Sequence, residues 1–213
     1  MTEPLLEIVH EDPEFVVVNK ESGMLSVPGR GPEKRDCVAA RVREMYPGCP
    51  EHPTAHRLDM DTSGLLVVAR TQEAHRTLSM QFQDRQTRKR YLALLDGILE
   101  EEGGTIELPF RLDIENRPYQ MYDPVHGKMG ITHWERLGIE SSFTRVSFVP
   151  VTGRTHQLRV HSAHSRGLGI PIVGDPLYGR GTGPKQMKLH AAELGFQHPT
   201  TGEPLDFAVP PGF

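Results

Sequence analysis

His56-Arg57-Leu58-Asp59-Met60-Asp61-Thr62-Ser63-Gly64-Leu65 runs directly into Leu66-Val67-Val68-Ala69. Residues 65–69 have the length and aliphatic, β-branched content of a buried strand, so the polar stretch before them is a loop ending at a strand. Charged groups rarely enter an interior unless paired, and loops fixed on a rigid scaffold are where chemistry tends to sit. A carboxylate at this junction, two residues after an arginine, is poorly explained as packing. Asp59 is therefore the first candidate for a catalytic group.

Outward from this element, Leu5–His10 and Phe15–Asn19 read as strands joined by the turn-prone Glu11-Asp12-Pro13-Glu14. Ser22–Glu33 reads as an ordered loop. Asp36 is placed to cap a helix through about Met45, and Thr71 a second helix reaching about Gln86, with Ala74, Leu78 and Phe82 on one stripe. Lys89–Leu95, Thr105–Phe110, Ile131–Leu137 and Phe143–Val149 read as strands. A helix is expected over Thr155–His164, after the Thr152-Gly153-Arg154 turn, and Lys188–Phe196 and Pro204–Val209 close the chain as strands. Strands and helices do not alternate regularly, which argues against a doubly wound parallel sheet. The expectation is a single α+β domain, residues 1–213, around a large, mostly antiparallel mixed sheet with a central cleft.

Composition narrows the class. The 213 residues are 37% hydrophobic, and 21 glycines and 18 prolines point to many turns rather than a helical bundle. The N-terminal stretch has no signal-peptide pattern, and no run approaches the roughly 20 apolar residues of a membrane span. Cys37 and Cys49 have no metal or redox spacing and read as reduced thiols of a cytoplasmic protein. The net charge of −4 disfavours a nonspecific nucleic-acid binder. Its distribution qualifies that: Arg85, Arg88, Lys89 and Arg90 cluster, Arg154, Arg159 and Arg166 recur, and acids concentrate at 3–21 and 96–115. A basic cleft on an acidic body fits this pattern, as do solvated charged faces.

Four segments taken together resemble the RluA family of pseudouridine synthases. They are Phe15–Gly29; the stretch 56–65; Arg88-Lys89-Arg90-Tyr91; and Gly153-Arg154-Thr155-His156-Gln157-Leu158-Arg159-Val160-His161, continued by Gly174-Asp175-Pro176-Leu177-Tyr178-Gly179 and Leu189-His190-Ala191. No basic module precedes Leu5, so the resemblance is to the short members without an N-terminal S4 domain, and Asn116-Arg117-Pro118 is similar to that subgroup too. The resemblance implies isomerisation of uridine in RNA, in the tRNA anticodon loop and/or a 23S rRNA hairpin, by a monomer without cofactor, metal or obligate protein partner. Asp59, Tyr91 and Arg159 are the implied catalytic set. Arg159 is the partner cation, and Tyr91 is a flat face for uracil with a hydroxyl for proton transfer. Arg57, His56, Arg88, Lys89, Arg90, Arg154, His156, Leu158 and Arg117 are the expected RNA contacts.

The chemistry supports the same carboxylate. Breaking the bond between C1′ and N1 and joining C1′ to C5 requires one ionised carboxylate near C1′, to attack the sugar or to remove a sugar proton. In a water-poor pocket that group stays ionised only beside a cation, and a guanidinium holds a carboxylate through two parallel bonds. A stacked uridine must also leave its stack; Arg57 is long enough to fill the gap, its alternative being a weak surface ion pair with Asp61. Rival readings fare worse. Asp59 and Asp61 as a glycosidase pair need a controlled separation, His156, His161 and His164 match no zinc spacing, and Gly179–Pro184 lacks a phosphate-loop ending and reads as a surface loop able to order on RNA.

Overall fold

The structure is a computed structural model that describes residues 6–183 and 185–213. The expected strand start at Leu5 and the end of the Gly179–Pro184 loop lie outside the described residues. The strands are β1 (Glu7–Glu11), β2 (Phe15–Lys20), β3 (Ser63–Ala69), β4 (Arg88–Leu95), β5 (Gly103–Leu112), β6 (Gln120–Tyr122), β7 (Lys128–Glu140), β8 (Phe143–Pro150), β9 (Leu189–Gln197) and β10 (Pro204–Ala208). The helices are α1 (Val38–Met45), α2 (Gln72–Gln83) and α3 (Gln157–Ala163), with a 3-10 turn at Pro32–Lys34. Strands follow one another in the ten-stranded sheet in the order β1-β2-β3-β9-β4-β8-β7-β5-β6, and β10 pairs with β9. The expected α+β class with a mostly antiparallel sheet is what forms. By its contacts the chain divides into two compact units, one of residues up to Lys89 with Ala191–Gly212, the other of Arg90–His190 with Phe213.

In the first unit, β2 pairs antiparallel with both β1 and β3, in a register that sets Phe15 opposite Ala69 and Lys20 opposite Gly64. Both strands are buried on each face and therefore read as continuous apolar runs rather than alternating ones. Helix α2 covers one face, where Ala74 and Leu78 join Phe15, Val17, Leu65, Val67, Leu194 and Phe196. The hydroxyl of Thr71 caps it by accepting the Ala74 N–H at 3.1 Å. The cap of α1 differs from expectation. The Sγ of buried Cys37 accepts the Ala40 N–H, because the chain enters the helix bridged to Leu25; Asp36 instead forms a two-pronged ion pair with Arg41 at 2.8 Å.

In the second unit, β4, β8, β7, β5 and β6 form an antiparallel run, with a bulge in β7 between Arg136 and Gly138. Short α3 is fixed by two apolar clusters. Leu158 sits with Ala93, Leu95, Val146, Phe148 and Met187, and Val160 with Ile106, Leu108 and Phe110. The helix starts at Gln157 rather than Thr155, because His156 adopts a left-handed backbone (φ 57°) that ends the preceding turn.

Candidate active site

The loop that carries Asp59 is bound to the loop after β2 from both sides. The hydroxyl of Ser26 donates to the Leu58 carbonyl at 2.8 Å and accepts the Leu58 N–H at 3.0 Å. The N–H of Gly23 donates to the Met60 carbonyl at 2.8 Å, and the hydroxyl of Ser22 to the Asp61 carbonyl at 2.7 Å. The Asp59 carbonyl itself accepts the Thr62 N–H. Asp59 is thus half-buried between a buried Leu58 and an exposed Met60, with main-chain bonds on either side. Such fixation removes reorganisation cost from a reacting group.

Beneath this loop lies a residue the sequence reading did not single out. Lys20, fully buried, directs its Nζ at the carbonyls of Glu21 (2.9 Å), Met24 (2.7 Å) and Met60 (2.9 Å). Burial pushes its pKa down to about 8, against the opposing pull of Asp61, Asp59 and Glu21. Its signal in the sequence is a charge two residues beyond the apolar run Phe15–Val18, on the same face of the strand as Val16 and Val18.

His56 stacks on Phe82 (centroids 4.1 Å apart, 16° between planes), and its Nε2 accepts the Val67 N–H at 3.2 Å. That bond requires an unprotonated Nε2, and burial, aided by the charge of Lys89, pushes the imidazole down to about 3. This makes His56 a neutral support of the loop rather than a phosphate contact. Arg57, the next residue, is exposed.

Of the basic run, Arg88 is exposed and ion-paired to Asp206 at 2.7 Å, while Lys89 is half-buried and held below the usual lysine range by burial and by Arg85. In the second unit Arg90 donates through Nε to the Ser147 hydroxyl at 2.8 Å. Tyr91 lies opposite Phe148 and half-buried against the Leu158 cluster. Leu158, only 7% exposed, is a core residue of that cluster. Arg117 is exposed on the loop before β6, which Asp113 closes by accepting from the N–H groups of Glu115 and Asn116.

Arg159 is held by a partner that the sequence reading had not assigned to it. Its Nε and Nη2 donate to Asp175 at 2.8 and 2.7 Å, with the arginine 3% exposed and the carboxylate fully buried. Burial pushes the Asp175 carboxyl up, but Arg159 and the N–H groups of Leu177 and Tyr178 outweigh it and leave the carboxyl below its ordinary range. The Arg159 guanidinium lies over the Tyr178 ring, whose hydroxyl accepts the Gln120 N–H at 2.8 Å and meets His156 Nδ1 at 2.9 Å. Gln157 completes the α3 turn. Its Oε1 accepts from the Thr152 hydroxyl and the Arg154 N–H, and its Nε2 donates to the Ile131 carbonyl and the Thr132 hydroxyl. Arg154 is exposed, with Nε near the Met129 carbonyl at 3.3 Å.

One cluster has the composition of a cation site. Ligand atoms of Asp12, Glu14 and His198 lie within 4.8 Å of one another. However, His198 Nδ1 accepts the N–H groups of Thr200 and Thr201 at 3.2 Å, which puts the ring proton on Nε2, facing Asp12. Neither nitrogen keeps a lone pair for a metal.

Comparison with known proteins assigns the class. Residues 14–164 match the RNA pseudouridylate synthase family. The structure is similar to that of human RNA pseudouridylate synthase domain containing 1, with a TM-score of 0.78 and 31% identity over 99% of this chain and 86% of that one. The chain belongs to the RluA family of RNA pseudouridine synthases and is an isomerase acting on RNA. It is 46% identical to the dual-specificity RNA pseudouridine synthase RluA of Pasteurella multocida, covering 100% of this chain and 96% of the relative. To the protein of the same name from Escherichia coli it is 41% identical, over 99% and 95%.

Proposed function

We propose that the substrate is a uridine in the tRNA anticodon stem-loop and/or a 23S rRNA hairpin, and that Asp59 is the carboxylate that acts on its sugar. Relatives named dual-specificity synthases align with nearly the whole chain, which supports a dual target. The observation that carries the role of Asp59 is its fixed main chain, bonded through Leu58 and Met60 to the loop after β2. Atoms balance without an external reagent: the bond from C1′ to N1 breaks, that from C1′ to C5 forms, C5 gives up a proton and N1 is left to take one. Asp59 attacks C1′ or removes a sugar proton. Tyr91 stacks on the displaced uracil, and Arg159, oriented by Asp175, is the cation that favours an ionised carboxylate. Arg57 fills the vacated stack. Arg88, Lys89, Arg90, Arg117, Arg154 and His156 meet phosphates, and the surface ion pair of Arg88 is weak enough to exchange for one.

The expected working unit is a monomer. No helix among the described residues is long and apolar enough to cross a membrane, and two free cysteines fit a reducing, cytoplasmic setting. The test is tritium release from 5-tritiated uridine in total bacterial RNA taken from a strain lacking the enzyme. Wild type is expected to release tritium and Asp59→Asn to lose release at least about 1000-fold, with RNA retention on filters little changed. Undiminished release by Asp59→Asn overturns the assignment, and release by neither protein points to an RNA binder that has lost the chemistry.

A further inference from the structure

We propose that Arg85 and Lys89 form a clamp for a single phosphate of the RNA backbone, and that Arg85 is kept in a left-handed backbone conformation for that purpose. The inference rests on the assignment of Lys89 as a phosphate contact. It goes beyond that assignment by adding Arg85 and by giving both cations one shared phosphate.

The chain leaves α2 through a bond pattern whose turning residue is usually glycine. The Gln86 N–H donates to the Gln81 carbonyl at 2.9 Å, and the Arg85 N–H to the Phe82 carbonyl at 3.4 Å. The turning residue here is Arg85, with φ of 60°. Its Cβ makes that conformation costly, and glycine or asparagine would adopt it more easily. The helix dipole does not account for the arginine. A cation gains that interaction in the last turn at ordinary helical angles, and the last turn of α2 carries no basic residue.

The Arg85 side chain is exposed, and Lys89 is half-buried four residues on. Among the described residues neither side chain has a hydrogen bond or an ion pair, whereas Arg88 between them is tied to Asp206. The two charges oppose one another: Arg85 adds to burial in holding Lys89 below the usual lysine range. Lys89 acts in turn on His56, three residues before Asp59, so the pair borders the loop that carries the candidate carboxylate. Like charges without an anion between them disfavour each other, and one shared anion relieves both. The guanidinium fork fits two oxygens of a phosphate, and the ammonium meets it as a point charge.

The test is filter binding of a synthetic anticodon stem-loop RNA at about 50 to 300 mM potassium chloride, where the dependence of affinity on salt counts the phosphates neutralised. All proteins carry Asp59→Asn, so that the RNA is not turned over. Arg85→Gly and Lys89→Gln are each expected to weaken binding about 3- to 10-fold. The double variant is expected to have a salt slope shallower by about one, the loss of one phosphate. Arg85→Gly is also expected to raise the urea midpoint at about 0.5 M salt, where the dipole contribution is screened. An Arg85→Gly protein that binds like its parent overturns the clamp, as does a double variant with the parent slope or one shallower by about two. A lowered urea midpoint in Arg85→Gly overturns the strained conformation. Unchanged binding by Lys89→Gln beside weakened binding by Arg85→Gly instead defeats the assignment of Lys89, and with it the clamp.

Discussion

Arg159 commits its Nε and Nη2 to Asp175 in a two-pronged pair. Asp175 is thus the residue that aims Arg159, and it does so from full burial. Removing one partner of a buried pair typically costs about 3–5 kcal/mol, because the other charge is left uncompensated. Asp175→Asn keeps the shape and removes the charge. Its expected result is a clear fall in melting temperature and in tritium release together; a variant with wild-type stability and turnover would show that the pair neither holds α3 nor orients Arg159. Arg57 tests the opposite kind of residue, exposed and outside the core. Arg57→Ala is expected to leave the melting temperature unchanged and to lower kcat/KM about tenfold more on a folded stem-loop than on an unstructured oligonucleotide. Equal losses on both RNAs would remove its role in displacing the base. The sequence reading reached Asp59 and Arg57 because charges on a loop ahead of an apolar strand stand out by type. It passed over Lys20, Asp175 and Gln157, because polar side chains satisfied inside the fold are invisible to a reading by hydropathy.

Among the elements, Gly64 shows how closely the Asp59 loop is fitted to the sheet. It is the second residue of β3, opposite Lys20, with φ of 108°, and a Cβ there would lie 2.4 Å from the Ala191 carbonyl oxygen and 2.6 Å from its nitrogen. Both the backbone conformation and the approach of β9 demand glycine. Gly64→Ala is expected to destabilise by at least about 2 kcal/mol, read by urea denaturation; an unchanged midpoint would mean that β9 yields without cost. Element identity was otherwise legible where pattern and cap agree, as in α2, whose Thr71 cap and Ala74–Leu78 stripe are both found. It failed where tertiary contacts decide. Cys37 displaced Asp36 as the cap of α1 because of the bridge to Leu25, and β6 is three residues long and paired to β5 alone. In α3 residues 157–162 are all buried, including Gln157, Arg159 and His161, so it shows no polar face from which a helix could be read.

At the scale of the whole molecule, each compact unit holds a histidine that is kept neutral, half-buried in the first and fully buried in the second. In the first, His56 accepts the Val67 N–H and is pushed down to about 3 by burial and then by Lys89. In the second, His161 is fully buried edge-on to Phe110, among the described residues has no hydrogen-bond partner for either ring nitrogen, and is pushed down to about 4 by burial. An unfolded chain protonates both near their ordinary value of about 6.5. Below that pH the unfolded state binds protons that the folded state refuses, so stability that is complete above about pH 6.5 is lost as pH falls toward 4. The carboxylates held low, among them Asp36, Asp123 and Asp175, lose their own contribution only in and below the ordinary carboxylate range, so the histidines dominate the window from about 6 to 5. There the unfolding free energy is expected to fall by about 2–3 kcal/mol per pH unit, the slope of two protons taken up on unfolding, with a smaller addition from His164. Urea titrations at half-unit pH intervals measure that slope. His161→Leu removes one proton from the second unit and is expected to roughly halve the slope, while a wild-type profile flat between pH 6.5 and 5 would mean that neither ring is buried in its neutral form.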